Sequence, residues 1–299
     1  MTQPADRGPT LFLTGGTGFI GRRVCALNER GSIVAPGRSG LWADGRIVDE
    51  SPFDLRDAEK YRGALNEHAP DVLVHLAWEG LPDYSAENSA HNLAVGLGLI
   101  TSAVRAGVRR IVVAGSGWEY GARTGPLRED DVPDRPSVFA AYKSAQFTAA
   151  AALCREAGVE LVWARIFFSY GPGQRRQSLV PSVVESLRRG EQPTLRTPGV
   201  LSDFIHVDDV ARALLSMSAP GGPEGIVNVG TGRATPAFEV ARTVAAAMGS
   251  SVRIPAAEIT GGQWADVTRL AGEVGFTARE TLESGIEKTV RAILAESNA

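Results

Sequence analysis

The chain has 299 residues, with 31 Lys+Arg against 34 Asp+Glu for a net charge of −3, and 43% hydrophobic against 22% charged residues. This length holds roughly one to two domains, and the composition excludes a wholly disordered chain. The slight acidity speaks against a general nucleic-acid coat, and no apolar run reaches the roughly 18 residues that a membrane helix needs.

Two cysteines, Cys25 and Cys154, form neither a disulfide scaffold nor a CxxC metal motif. Both fall in predicted helices, where a buried free thiol is expected, and they suit a reducing cytoplasm. The start, Met1 to Pro9, is polar and lacks the apolar core of a signal peptide.

In chain order, residues 10–14 form a first apolar strand that ends in a glycine cluster, and a helix follows over 19–29. Residues 32–36 read as a second strand stopped by Pro36-Gly37, and 45–48 as a weak third. A helix over 57–68, a strand over 71–76 and a long helix over 87–106 come next. Then follow a strand over 110–114, a helix over 138–157 and a strand over 160–164. Strands that stay apolar through successive residues suit burial on both faces. Their alternation with helices predicts an α/β, Rossmann-type doubly wound parallel sheet.

After Arg165 the pattern loosens, with frequent Gly, Pro and Arg from Gly171 to Pro198. Residues 1–169 read as a dinucleotide-binding domain, with returns near 202–235. Residues 170–201 and 236–299 read as a smaller substrate-binding lobe. The segments 202–207 and 225–229 are expected to return to the first domain. Helices near 237–248 and 279–295 are expected in the second.

Between the first strand and helix lies Thr14-Gly15-Gly16-Thr17-Gly18-Phe19-Ile20-Gly21, which fits both GxGxxG and GxxGxxG. Glycines there permit a tight turn and let backbone N–H groups approach a pyrophosphate. An NAD site usually has Asp or Glu after strand two, on the ribose 2′-hydroxyl. This chain has Arg38-Ser39 instead, with Arg22 and Arg23 nearby in the first helix, so a 2′-phosphate and NADP(H) are expected in preference to NAD(H).

With these motifs the chain resembles the extended short-chain dehydrogenase/reductase family, in its nucleotide-sugar branch. Asp54-Leu55-Arg56-Asp57 is similar to the family loop whose first Asp meets the adenine amine. His75-Leu76-Ala77-Trp78 is similar to the stretch lying along the cofactor, and Ile166 falls within the family motif from Arg165 to Gly173. Asn92 matches a structural, water-binding Asn. Ser116-Gly117-Trp118-Glu119-Tyr120-Gly121 and Asp203 to Asp209 also match family motifs. The resemblance implies a hydride transfer at a sugar carbon. It makes Ser116 the hydroxyl that polarises a carbonyl, and Lys143 the cation that holds the nicotinamide ribose and lowers the pKa of a catalytic Tyr.

The main departure lies four residues before Lys143, where the family's Tyr is Phe139. Phenylalanine has no proton to give. Three readings stay open: an engineered substitution that traps substrate, a natural variant that draws its proton from Tyr142 or another acid, or a binding protein that has lost catalysis. Tyr142 lies roughly 60° around the helix from Phe139 and about 4.5 Å along it.

Dehydratases of the family carry Asp-Glu directly after the active hydroxyl. Gly117-Trp118 stands here, which leaves a reductase or an epimerase. Arg38 leans toward NADPH-dependent 4-ketoreduction of a nucleoside-diphosphate 4-keto-6-deoxyhexose. In the second lobe, Arg175 and Arg176 are candidate diphosphate contacts. Leu179 and Val180 resemble the segment on the nucleotide base. Phe168 stands in place of the Asn before Tyr-Gly-Pro, and Ser202 in place of an Arg, so the sugar or diphosphate must be held differently. Trp118 and Phe168 are the candidate contacts to the sugar. Small residues along 87–106 and 138–157 suggest, by resemblance, a homodimer built on a four-helix interface.

Overall fold

The structure, a computed structural model, describes residues 8–29, 31–37, 40–43, 46–49 and 54–296. The strands and helices of the first half are β1 (Leu11–Thr14), α1 (Gly21–Leu27), β2 (Ile33–Gly37), β3 (Gly40–Ala43), β4 (Arg46–Asp49), α2 (Ala58–His68), β5 (Val72–His75), α3 (Ala86–Arg105), β6 (Arg110–Ser116), β7 (Gly125–Leu127), α4 (Val138–Ala157) and β8 (Glu160–Ile166). The second half carries β9 (Phe168–Tyr170), α5 (Leu179–Arg188), β10 (Leu201–Ser202), β11 (Phe204–His206), α6 (Val207–Met217), β12 (Gly225–Val229), β13 (Thr235–Pro236), α7 (Ala237–Ala247), β14 (Gly262–Ala265), α8 (Thr268–Gly272) and α9 (Leu282–Glu296).

The main sheet has eight strands in the order β12-β8-β6-β5-β1-β2-β3-β4. The run from β12 to β2 is parallel throughout. Alternate side chains on each strand point to opposite faces. Leu11, Leu13, Val72, Val74, Val112 and Val162 therefore pack under α1 and α6 with Val24, Val210 and Leu214. Phe12, Leu73, Ile111, Val113 and Trp163 pack under α2, α3 and α4 with Tyr61, Leu99 and Ala150. Sidedness of this kind requires the apolar runs seen in the sequence.

The expected strand at 45–48 is present as β4, but a further strand, β3, precedes it, and the two extend the sheet edge by antiparallel pairing, β2 with β3 and β3 with β4. The physical reason is chain length. Gly37 is paired to Gly40, and a two-residue link permits a hairpin but not the crossover that a parallel strand requires. The segment 225–229 joins the main sheet as β12. The segment 202–207 does not join the main sheet, since β10 lies in a four-stranded sheet β13-β10-β14-β7 and β11 pairs with β9, but Ile205 packs in the first domain's core. The return is made by α6, whose Asp208 pairs with Arg23 of α1 at 2.5 Å. The second lobe has its own core of Val180, Val184, Phe238, Val244, Ile286 and Val290.

Cys154 is buried as expected, and Cys25 is exposed. Helix α1 buries only Gly21 and Val24. The next residue lies about 100° further round, so Cys25 faces outward.

Candidate active site

Neighbours of β1 lie on opposite sides, β2 reached by one crossover and β5 by another, which makes the β1/β5 boundary a switch point where α/β sheets open a ligand crevice. The glycine loop sits there. Gly15 has φ +75, and a Cβ on it would meet Ala77 N at 2.9 Å. A Cβ on Gly21 would meet Gly15 O at 2.1 Å, so the first turn of α1 closes on the loop only because both lack side chains. Gly18 N donates to Gly15 O at 2.9 Å. Thr17 and Gly18 are exposed, with Phe19 and Ile20 half-buried behind them. The open backbone face fits a dinucleotide pyrophosphate.

Ahead of α2, Asp54 accepts from Arg56 N and Nε at 2.9 Å, and these bonds hold its carboxyl down at about 2. Leu55 is half-buried next to it. Arg23 is committed to Asp208, and Arg22 Nη2 reaches Gly173 O at 3.5 Å. Arg38 and Ser39 lie outside the described residues.

Thr14 Oγ1 and His75 Nδ1 are 2.7 Å apart, and burial, with a contribution from the Lys143 charge, lowers the imidazole pKa to about 3. Leu76, Ala77 and Trp78 are half-buried along the crevice. The loop beyond is pinned by Asn92, which accepts from Glu79 N at 2.7 Å and donates to Glu79 O at 3.1 Å.

Helix α4 begins at Ser137, whose hydroxyl accepts from Ala140 N at 3.3 Å. It presents Phe139 and Lys143 one turn apart toward the end of β6. Lys143 is buried and donates from Nζ to Ala114 O at 2.7 Å, two residues before Ser116, with Trp78 over it at 4.1 Å. Burial lowers its pKa to about 8, against a raising contribution from Glu119. Ser116 Oγ accepts from Trp118 N at 3.2 Å, capping the turn Gly117–Tyr120 and leaving its own proton available. The Ser116 register partner on β8 is Ile166.

A buried network beneath Ser116 was not read from the sequence. Glu119 accepts from Ser116 N at 2.7 Å, Trp163 Nε1 at 3.0 Å and Arg165 Nε at 3.1 Å. The Arg165 guanidinium lies 4.4 Å from the Tyr120 ring, and Tyr120 OH donates to Asn228 at 2.7 Å. Asp203 belongs to a second anchor, accepting from Thr231 N, Gly232 N and Ala265 N. Glu119, Arg165 and Asp203 each fall in a motif of the family resemblance, but their pairing across the fold does not show in the sequence.

Phe139 opens on a cleft of about 480 Å³ lined by Tyr84, Trp118, Gly121, Ala122, Arg135, Ser137 and Phe139. Its ring meets Trp78 at 5.1 Å, Tyr84 at 5.2 Å and Trp118 at 6.0 Å. Phe168 stands at the rim, 6.5 Å from Trp118. Tyr142 is half-buried and is not among the residues lining the cleft. Arg175 and Arg176 are exposed on the loop before α5, Leu179 is half-buried, and Val180 points into the core of the second lobe. Tyr84, which lines the cleft, has no motif to mark it in the sequence.

Residues 11–230 match the NAD dependent epimerase/dehydratase family. The dTDP-4-dehydro-6-deoxy-D-allose reductase of Streptomyces bikiniensis is 30% identical, over 97% of this chain and 98% of its own. The dTDP-6-deoxy-L-talose 4-dehydrogenase (NAD(P)(+)) of Kitasatospora kifunensis is 30% identical, over 96% of each chain. The structure of MoeE5 in complex with UDP-glucuronic acid and NAD is 29% identical, with a TM-score of 0.81, over 96% of this chain and 99% of that one. Dehydratases and epimerases of nucleotide sugars are similar at 27% identity. No helix among the described residues is long and apolar enough to cross a membrane.

Proposed function

The chain belongs to the NAD dependent epimerase/dehydratase family, and from that premise we propose that it reduces the C4 keto group of a nucleoside-diphosphate 4-keto-6-deoxyhexose with NADPH. The observation that carries this reading is the convergence of Ser116, Lys143 and the Phe139 cleft at the end of β6, beside the glycine loop. Two relatives at 30% identity bear the names of a 4-keto reductase and a 4-dehydrogenase of deoxysugars. Gly117-Trp118 after Ser116 supplies no acid–base pair for dehydration.

When bound, the nicotinamide supplies the hydride. Ser116, its lone pair engaged by Trp118 N, directs its proton to the carbonyl oxygen, where negative charge develops. The Lys143 ammonium, beside Ala114 O near the end of β6, would hold the nicotinamide ribose. Trp118 and Phe168 offer apolar faces to the hexose, and Arg175 an exposed cation to the diphosphate. Arg38 supports NADP over NAD. A homodimer through α3 and α4 and a cytoplasmic location complete the proposal.

Phe139 favours a second reading, a non-catalytic NADP(H)-binding protein, and a 4-epimerase is a third. Deuterium at the transferable position of NADPH separates them. Reduction places deuterium on sugar C4 of a reduced product. An epimerase returns the sugar at its original oxidation level, and a binding protein leaves the keto sugar unchanged.

A further inference from the structure

The reduction proposed above needs a proton for O4, and position 139 cannot give one. We propose that Tyr84 supplies it. In the family pattern the phenol would extend from the ring of residue 139 into the cleft. The Tyr84 ring stands at the edge of that space, 5.2 Å from the Phe139 ring and inclined to it by 76°, and 5.3 Å from Trp118.

The other protons on the cleft wall are poor candidates. The Arg135 guanidinium holds its proton more tightly because of its bond to Asp134, and an indole N–H such as that of Trp118 is a far weaker acid than a phenol. The Ser137 hydroxyl is an aliphatic alcohol, much less acidic than a phenol. A phenol ordinarily ionises near 10, within reach of a developing alkoxide.

Tyr84 is also held in place. Asn88 donates to both Glu79 O at 3.0 Å and Asp83 O at 2.8 Å, tying the loop across its base. Asp83 accepts from Ser85 N at 2.8 Å, and Ser85 caps α3 by accepting from Asn88 N at 3.2 Å. The residue between these two anchors is Tyr84. The residue is 36% exposed, so bulk water reaches Tyr84.

The step balances. Hydride from NADPH forms the new C–H bond at sugar C4, and the carbonyl π pair moves to O4. O4 takes the Tyr84 proton, and bulk water reprotonates the phenolate. The nicotinamide is oxidised and the keto sugar reduced.

The test compares the native chain with Tyr84→Phe, Tyr142→Phe and Phe139→Tyr, using NADPH and a nucleoside-diphosphate 4-keto-6-deoxyhexose. Turnover is measured beside calorimetric affinities for each ligand. The expected result is a loss of about 100-fold or more in kcat for Tyr84→Phe, with both affinities within about twofold of native, and restoration in Tyr84→Phe/Phe139→Tyr. Full turnover by Tyr84→Phe, or loss on Tyr142→Phe alone, overturns the proposal and leaves the reductase reading standing. A native chain that is inert while Phe139→Tyr turns over overturns it too, since Tyr84 is present in both. If neither turns over, the reductase reading falls with it.

Discussion

Lys143 and Trp78 are stacked, the ammonium 4.1 Å from the indole centroid and bonded to Ala114 O at 2.7 Å. The indole shields the charge from water, and burial brings its pKa down to about 8. The charged form therefore prevails below about 8 and is lost above it. Apparent NADPH affinity should weaken as pH rises through about 8, read by calorimetry from neutral to mildly alkaline pH. In Trp78→Ala water reaches the ammonium, and the midpoint should move upward. A flat profile in the native chain would remove Lys143 from cofactor binding.

His75 gives the opposite end of the pH scale. Burial keeps the imidazole neutral in the fold down to about 3, whereas the unfolded chain takes up a proton near the ordinary value of 6.5. The unfolded state thus binds more protons between those values, so stability is complete above about 6.5 and declines as pH falls toward 3. His75→Asn removes this ionisation. Its urea midpoint should fall less steeply with acidification than that of the native chain, whatever its value at neutral pH.

Glu119 and Arg165 form an ion pair at 3.1 Å with side chains 0% and 5% exposed. Removing one charge strands the other in the core, a loss of about 3–5 kcal/mol. Glu119→Gln should show that loss in denaturant unfolding. It should also lower kcat, because the Glu119 carboxylate receives Ser116 N. The paired change Glu119→Gln/Arg165→Met should recover part of the stability.

Much of the scaffold was legible because burial on both faces forces a strand to be apolar throughout. The segments 72–75, 110–114 and 160–164 carry that signature, and the helix expected over 138–157 is α4, capped by Ser137 and Gly158. The strand at 45–48 is legible, but β3 and the antiparallel edge are not, because strand direction there is set by the length of a link and not by residue type. The Glu119–Arg165 network was invisible because partners 46 residues apart meet only after β6 and β8 pair. In the site, Ser116, Phe139 and Lys143 could be named because the family resemblance carries its motif positions onto them. Tyr84 could not, since a loop tyrosine acquires meaning only when α3 and α4 bring it against Phe139. Val180 shows the converse: a motif position can be found while its side chain points into the core.

The glycine loop allows a matched pair of substitutions. Gly21→Ala drives a Cβ to 2.1 Å from Gly15 O, so the loop must shift and NADPH affinity should fall at least tenfold. Gly63→Ala on α2 meets nothing within 4 Å and removes a flexible residue from a helix interior. It should stabilise the fold by about 0.5–1 kcal/mol and leave NADPH affinity unchanged. Thermal unfolding and calorimetry on the two variants check both statements.

The reductase reading is tested most directly by NADPH consumption in the native chain with a nucleoside-diphosphate 4-keto-6-deoxyhexose, with sugar product counted against oxidised cofactor. A 4-ketoreductase gives sustained turnover, with one C4-reduced sugar formed per NADPH oxidised. Sugar conversion without net NADPH loss, or saturable binding of both ligands with no conversion, would contradict it.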